Sequence, residues 1–181
     1  MPAPLANVFA PNQSFSSDIS AFNRYTDMLA RFQFAMSSGD ESTATWRQII
    51  HGFRNLHPML QIIQVNETMN RRPYHSEARD YWSMPGEFLK YGGDCEDFAI
   101  AKYLALRDLG FDETSMRIVI VNDLQKHIPH AILAVRLEGT GEYVLDNQYS
   151  AVRRSADIHR YSPIYSINRT GWWYHGRLVS V

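Results

Sequence analysis

The sequence predicts an α+β domain, with helices packed on an antiparallel sheet. Three observations carry this. From Ser20 to Gly110 apolar side chains recur at spacings of three and four. After Met116 the runs turn β-branched and short, and Gly-containing turns separate them. Helical and strand segments are thus segregated along the chain, not alternated, which separates α+β from α/β folds. The 181 residues, 45% of them hydrophobic and 20% charged, are enough for one sizeable core.

Residues 1–17, rich in Pro, Asn and Ser, read as an irregular lead-in, and 18–181 as a single domain. A first helix follows Ser20, with Phe22, Tyr25, Leu29 and Phe32 on one face and Ser-Ser-Gly-Asp as its stop. A second begins near Thr43, carries Trp46, Ile49, Ile50 and Phe53, and breaks at His57-Pro58. Leu60, Ile62, Ile63 and Val65 fit either a helix or a short strand, and Arg71-Arg72-Pro73 reads as a loop. Pro85 to Lys90 is a helical turn and Gly92-Gly93 a flexible joint. Asp94 then caps a helix, with Asp97 completing a capping box. Phe98, Ala101, Leu104, Ala105 and Leu109 form its buried stripe, and Gly110 stops it. Met116–Asn122, His130–Leu137 and Glu142–Gln148 read as strands, the last two joined by Glu-Gly-Thr-Gly. An aromatic hairpin with Asn-Arg-Thr-Gly at its tip closes the chain.

Charge and composition exclude several classes. A net charge of −1 supplies no field for nucleic acid or an anionic membrane. No run approaches the ~18 apolar residues of a membrane span, so no membrane insertion is expected. The N-terminus lacks a basic segment and an apolar core, so it is not an intact secretion signal. A cytoplasmic protein, or a mature form without its leader, is expected. One cysteine rules out an intrachain disulfide and a multi-cysteine zinc site.

That cysteine, Cys95, stands at the first turn of the capped helix. Unpaired N–H groups and the helix dipole favour thiolate there, and its own amide can face an oxyanion. Asp94, Glu96 and Asp97 oppose ionisation. The competing reading is a buried structural cysteine. A thiolate nucleophile needs a base. His130 opens a strand after a proline, and Asp146 closes the next strand, which suits an imidazole oriented by a carboxylate. The two share a face only across an odd-numbered loop or a bulge, and a three- or five-residue turn using Gly139 or Gly141 satisfies this. His127 competes but lies in a loop. Trp82 reads as core or cleft lining, and Trp172, Trp173 and Tyr174 as a ledge or a plug on the sheet. Arg71-Arg72 and Arg153-Arg154 read as solvated charge. The Asn-X-Ser/Thr triplets at Asn12, Asn66 and Asn168 carry little weight.

Gly93-Asp94-Cys95-Glu96-Asp97-Phe98-Ala99-Ile100-Ala101-Lys102, the preceding Tyr81-Trp82, Pro85 and Glu87, His130 at a strand start and Val144-Leu145-Asp146-Asn147 resemble the bacterial transglutaminase-like cysteine peptidases, in particular the LapG-type periplasmic proteases. The resemblance runs from about Thr43 to the C-terminus. It implies a papain-like, transglutaminase-like fold and a Cys-His-Asp triad of Cys95, His130 and Asp146. It also implies Ca2+ held by Asp94 and Glu96, with Asp97 a further candidate; the alternative for these acids is to complement the cap and helix dipole. A periplasmic location, a large surface adhesin as protein substrate and an inner-membrane cyclic-dinucleotide receptor as regulator follow from the same resemblance. Two other functions use the same residues: acyl transfer to an amine, as in transglutaminases, and a non-catalytic calcium-responsive binding module.

Overall fold

The computed structural model describes residues 5, 8–11, 13–76 and 81–176. Five helices precede all but one of the strands. Helix α1 (Asn23–Ser38) ends on Gly39 in the left-handed region that glycine favours, φ +71°. Helix α2 (Glu41–Phe53) starts from Asp40, whose carboxylate accepts the Ser42 N–H. The ambiguous Leu60–Val65 stretch is helical, within α3 (Pro58–Asn70). Pro58 both ends the preceding turn and occupies the first turn of α3, where a missing N–H costs nothing. Helix α4 (Pro85–Tyr91) is short, and α5 (Cys95–Asp108) is central. Every residue of α5 from Asp97 to Leu106 is buried, so its apolar surface runs all the way round rather than along one stripe.

The sheet is antiparallel throughout, in the order β1-β7-β6-β2-β3-β4-β5. Its strands are β1 (Ser14–Ser16), β2 (Met116–Asp123), β3 (Ile128–Leu137), β4 (Gly141–Leu145), β5 (Arg153–Arg154), β6 (Tyr161–Asn168) and β7 (Gly171–Tyr174). The helices cover one face, where Ile118, Leu133, Val135, Leu145 and Ile167 join the helical core. On the other, Leu5, Val8 and Phe9 pack on Val119, Val121, Ile132, Ala134 and Val144.

Within the lead-in, expected to be irregular, Ser14–Ser16 form a strand. Ser14–Ser16 pair with β7, and Arg117 ties the segment down by donating to the Val8 carbonyl and Gln13 Oε1 at 2.6 and 2.7 Å. Residues 77–80 and 177–181 of the expected loop and terminal segment, and Asn12, lie outside the described residues. Trp172 and Trp173 plug the sheet. Trp172 packs against Phe22, and the Arg117 guanidinium lies 3.6 Å over the Trp173 ring. Asn66 and Asn168 are fully buried, which removes both as glycan acceptors.

One ion pair pins the end of the sheet nearest the site. Arg160 Nε and Nη2 donate to buried Asp123 at 2.9 and 2.5 Å, and Asp123 Oδ1 also accepts the N–H groups of Gln125 and Lys126. The Arg160 guanidinium, ahead of those main-chain donors, holds the Asp123 carboxyl far below the usual range. A lowered carboxyl contributes stability that is complete above its unfolded value, about 4, and is lost as pH falls through the folded value. Arg160→Met is expected to cost about 3 kcal/mol at neutral pH, since it strands a buried carboxylate. Urea unfolding checks this, and the gap from wild type should narrow below about pH 4. Equal stability at pH 7 would show that the pair contributes nothing net.

Candidate active site

The β3–β4 hairpin decides whether the candidate base and its orienting acid can meet. Leu137 pairs with Gly141 and Leu133 with Leu145, leaving the three-residue loop Glu138-Gly139-Thr140 with Gly139 at φ +73°. In this register Asp146 falls just beyond the last pair and on the same face as His130. His130 Nε2 stands 2.8 Å from Asp146 Oδ1, and both side chains are buried. Oδ1 also accepts the Gln148 N–H at 2.9 Å, and Oδ2 accepts the Tyr161 hydroxyl at 2.6 Å. Burial opposes ionisation of Asp146, but the bonds from His130, Gln148 and Tyr161 outweigh it and hold the carboxyl below the usual range. Nε2 must therefore carry the proton given to this carboxylate, which leaves Nδ1 as the basic nitrogen. His127, by contrast, is exposed in a turn at φ +56°.

Cys95 begins α5. The backbone before it is held tightly rather than loosely jointed. Gly93 N–H donates to the Pro73 carbonyl, and His75 N–H returns a bond to the Gly93 carbonyl. A Cβ on Gly92 (φ +78°) would collide with the Pro73 carbonyl, and one on Gly93 with the Asp97 carboxylate. The two glycines therefore allow neighbouring chain to approach the helix tip closely. The thiol is half-buried and lies by the N–H of Ala131, the residue after His130 on β3, which favours its ionised form. Its own proton goes to Glu96 Oε2 at 3.5 Å, not to the imidazole. Burial, then the Glu96 charge, push the thiol up to about 12, against the Ala131 N–H. The helix dipole alone does not produce a thiolate here.

The three candidate metal ligands divide into two groups. Asp94 and Glu96 act on each other as neighbours, and burial followed by Asp94 pushes the Glu96 carboxyl up to about 8. Asp94 Oδ1 is buried without a partner, so this pair fits a divalent cation. Asp97 is fully buried and structural in its contacts. Its Oδ1 accepts the Ser83 N–H at 2.7 Å, and its Oδ2 accepts the Asp94 N–H at 3.2 Å. Among the described residues no group of three His, Cys, Asp or Glu side chains is arranged to hold a metal ion.

Sequence reasoning missed Tyr161, Gln148 and Tyr74. Tyr74, exposed, stacks on Phe98 at 6.3 Å and lies within electrostatic reach of Cys95. Trp82 is half-buried with its edge toward Tyr25, and its carbonyl accepts a bond from Arg31. Tyr161 and Tyr74 carry no local signature, because each reaches the site through a contact distant in sequence, whereas the Gln148 N–H bonds Asp146 only two residues back.

A helix-tip thiol set against an antiparallel sheet defines the class: a cysteine peptidase of papain-like architecture. The chain belongs to the bacterial transglutaminase-like cysteine proteinases (BTLCP), a family that matches residues 29–175. It is similar to Legionella pneumophila LapG, at 27% identity and a TM-score of 0.68, over 81% of this chain and 87% of that one. The calcium-bound form of Legionella pneumophila LapG is similar at the same identity and TM-score, over 84% and 92% of the two chains. No curated protein matches at a significant level. A protein substrate follows from the class. No helix among the described residues is long and apolar enough to cross a membrane.

Proposed function

We propose that this peptidase works through Cys95, His130 and Asp146. It is calcium-dependent and acts in the periplasm, where it cleaves a large surface adhesin under the control of an inner-membrane cyclic-dinucleotide receptor. The observation that carries the triad is the buried 2.8 Å contact between His130 and Asp146, one residue along β3 from Ala131, whose N–H favours the thiolate. His130 Nδ1 takes the thiol proton as Cys95 Sγ attacks the peptide carbonyl. The same nitrogen returns that proton to the leaving amine, and water then opens the thioester with His130 again as base. The Cys95 N–H at the helix tip is placed to receive the oxyanion.

Asp94 and Glu96 are the residues that would hold calcium, with carbonyl oxygens and water completing its shell. Bound there, the ion supplies positive charge that offsets the acids beside the thiol. The calcium-bound form of the Legionella protein supports this reading. The adhesin substrate, the receptor and the periplasmic location rest on the family resemblance.

The test incubates wild type and Cys95→Ala with outer-membrane adhesin extract, with calcium or with chelator. Fragments that appear only with wild type and calcium support the reading, whereas identical fragments from both proteins reject it. Adding a primary amine and weighing the products separates hydrolysis from acyl transfer, because amine and water compete for one thioester.

A further inference from the structure

The helices leave part of the sheet uncovered beside the site. On the face they pack against, Ala131 of β3, Ile120 of β2 and Tyr165 of β6 stand side by side in one row. In the adjoining row Leu133, Ile118 and Ile167 are buried beneath the helices, whereas Ile120 and Tyr165 are only half-buried. The helices therefore stop short of this row. It forms an open floor that begins next to His130 and runs across two strands. Neighbouring strands lie about 4.8 Å apart, so Tyr165 stands about 10 Å from β3.

A cavity of about 420 Å3 stands at the far end of that floor, with Phe22, Tyr25, Trp82 and Tyr165 as its aromatic walls. None of the described residues that line it is acidic. Its Trp82 wall is fixed from two helices. The Asp97 carboxylate accepts the Ser83 N–H at 2.7 Å and the Asp94 N–H at 3.2 Å, so the peptide joining Trp82 to Ser83 lies against the first turn of the Cys95 helix. From α1, Arg31 Nη2 donates to the Trp82 carbonyl at 2.6 Å. The rings also brace one another. Phe22 lies 5.6 Å from Tyr165 and 5.7 Å from Trp172, and Tyr25 meets Trp82 edge-on at 6.2 Å. A concave, aromatic-lined space of this size, held in place before any ligand arrives, has the character of a binding pocket.

We propose that this cavity is a substrate subsite, which takes a large apolar side chain of the cleaved chain about three residues from the scissile bond. The inference rests on the reading of Cys95 as the nucleophile. An extended chain advances about 3.3 Å per residue, so three residues span the roughly 10 Å between β3 and Tyr165. A chain laid along the open row has its reacting carbonyl at Cys95 and a more distant side chain over Tyr165. An aromatic or long aliphatic side chain there buries its apolar surface against the four rings, whereas alanine is too short to reach them. The pocket thus selects substrates at a distance from the cut.

The experiment reads alkylation of Cys95, the chain's one cysteine, and needs no known substrate. Two sets of alanine tetrapeptides serve as probes, one with an N-terminal iodoacetyl group and one with a C-terminal chloromethyl ketone. They run the chain in opposite directions from the sulfur. Phenylalanine replaces each alanine in turn, and every rate is divided by that of the all-alanine peptide on the same protein. In one of the two directions, phenylalanine at the third residue is expected to react about tenfold faster than alanine. Tyr165→Ala removes one wall, and Ala21→Trp places an indole in the cavity from an exposed position on its lining. Each should bring that ratio close to one. A wild-type ratio near one at the third residue in both directions overturns the proposal. So does a preference that persists in both variants, because it then arises on another surface. If His130→Ala reacts with iodoacetamide like wild type, the triad reading fails instead, and the peptide ratio still reports on the pocket.

Discussion

His130→Ala is expected to leave the fold intact and lower the turnover of a cleaved peptide about a thousandfold or more. The ring lies at a strand start, and its loss removes both the acceptor for the thiol proton and the donor for the leaving amine. Its hydrogen bond to Asp146 shows that the imidazole is held in one tautomer, with Nε2 committed and Nδ1 available. Asp146→Asn should cost nearly as much while perturbing packing less. An amide in that place presents an N–H to Nε2 and favours the wrong tautomer. The loss should appear in kcat with KM little changed, because both residues act on the proton in transit and are buried away from the surface. Tyr161→Phe keeps the ring and removes one of the donors to Asp146, so a loss of about tenfold is expected. Cleavage kinetics on any accepted peptide check the series. A His130→Ala enzyme within tenfold of wild type would remove the histidine from the mechanism.

Calcium should control the reactivity of Cys95 before any substrate is present. With chelator the thiol is held up to about 12, by burial first and then by Glu96 beside it, so thiolate is scarce at neutral pH. Adding calcium is expected to speed iodoacetamide alkylation about tenfold or more, since one unit of thiol pKa is a factor of ten in thiolate. Above about pH 8, where Glu96 carries its charge, Glu96→Gln should raise the calcium-free rate by removing that charge, and it should blunt the response to calcium. Because the chain has one cysteine, the mass of the alkylated protein reports this site alone. A rate indifferent to calcium in wild type, or slower in Glu96→Gln, would show that Glu96 does not restrain the thiol.

Much of the frame was legible along the chain because its determinants are local. The Asp94–Asp97 cap, the Gly139 turn and the β-branched runs specify α5 and the β3–β4 hairpin through neighbours a few residues apart. The odd loop required to bring residues 130 and 146 to one face is present, with three residues. Leu60–Val65 stayed ambiguous because apolar runs fit a buried helix as well as a strand, and packing on α5 settled it. The strand at Ser14–Ser16 gave no signal, since its partner β7 lies near the other end of the chain.

The sequence by itself determined an α+β domain with a cysteine at a capped helix tip, because capping, turns and periodicity act over a few residues. The likeness to a peptidase family rested on the string at residues 93–102. Only the tertiary structure decided what surrounds the reacting groups. Tyr161 was set against Asp146, Glu96 was placed on the thiol, Asp97 was drawn under Ser83, and the Lys102 side chain was buried whole. These depend on desolvation and on charges brought together by packing, which no local pattern encodes.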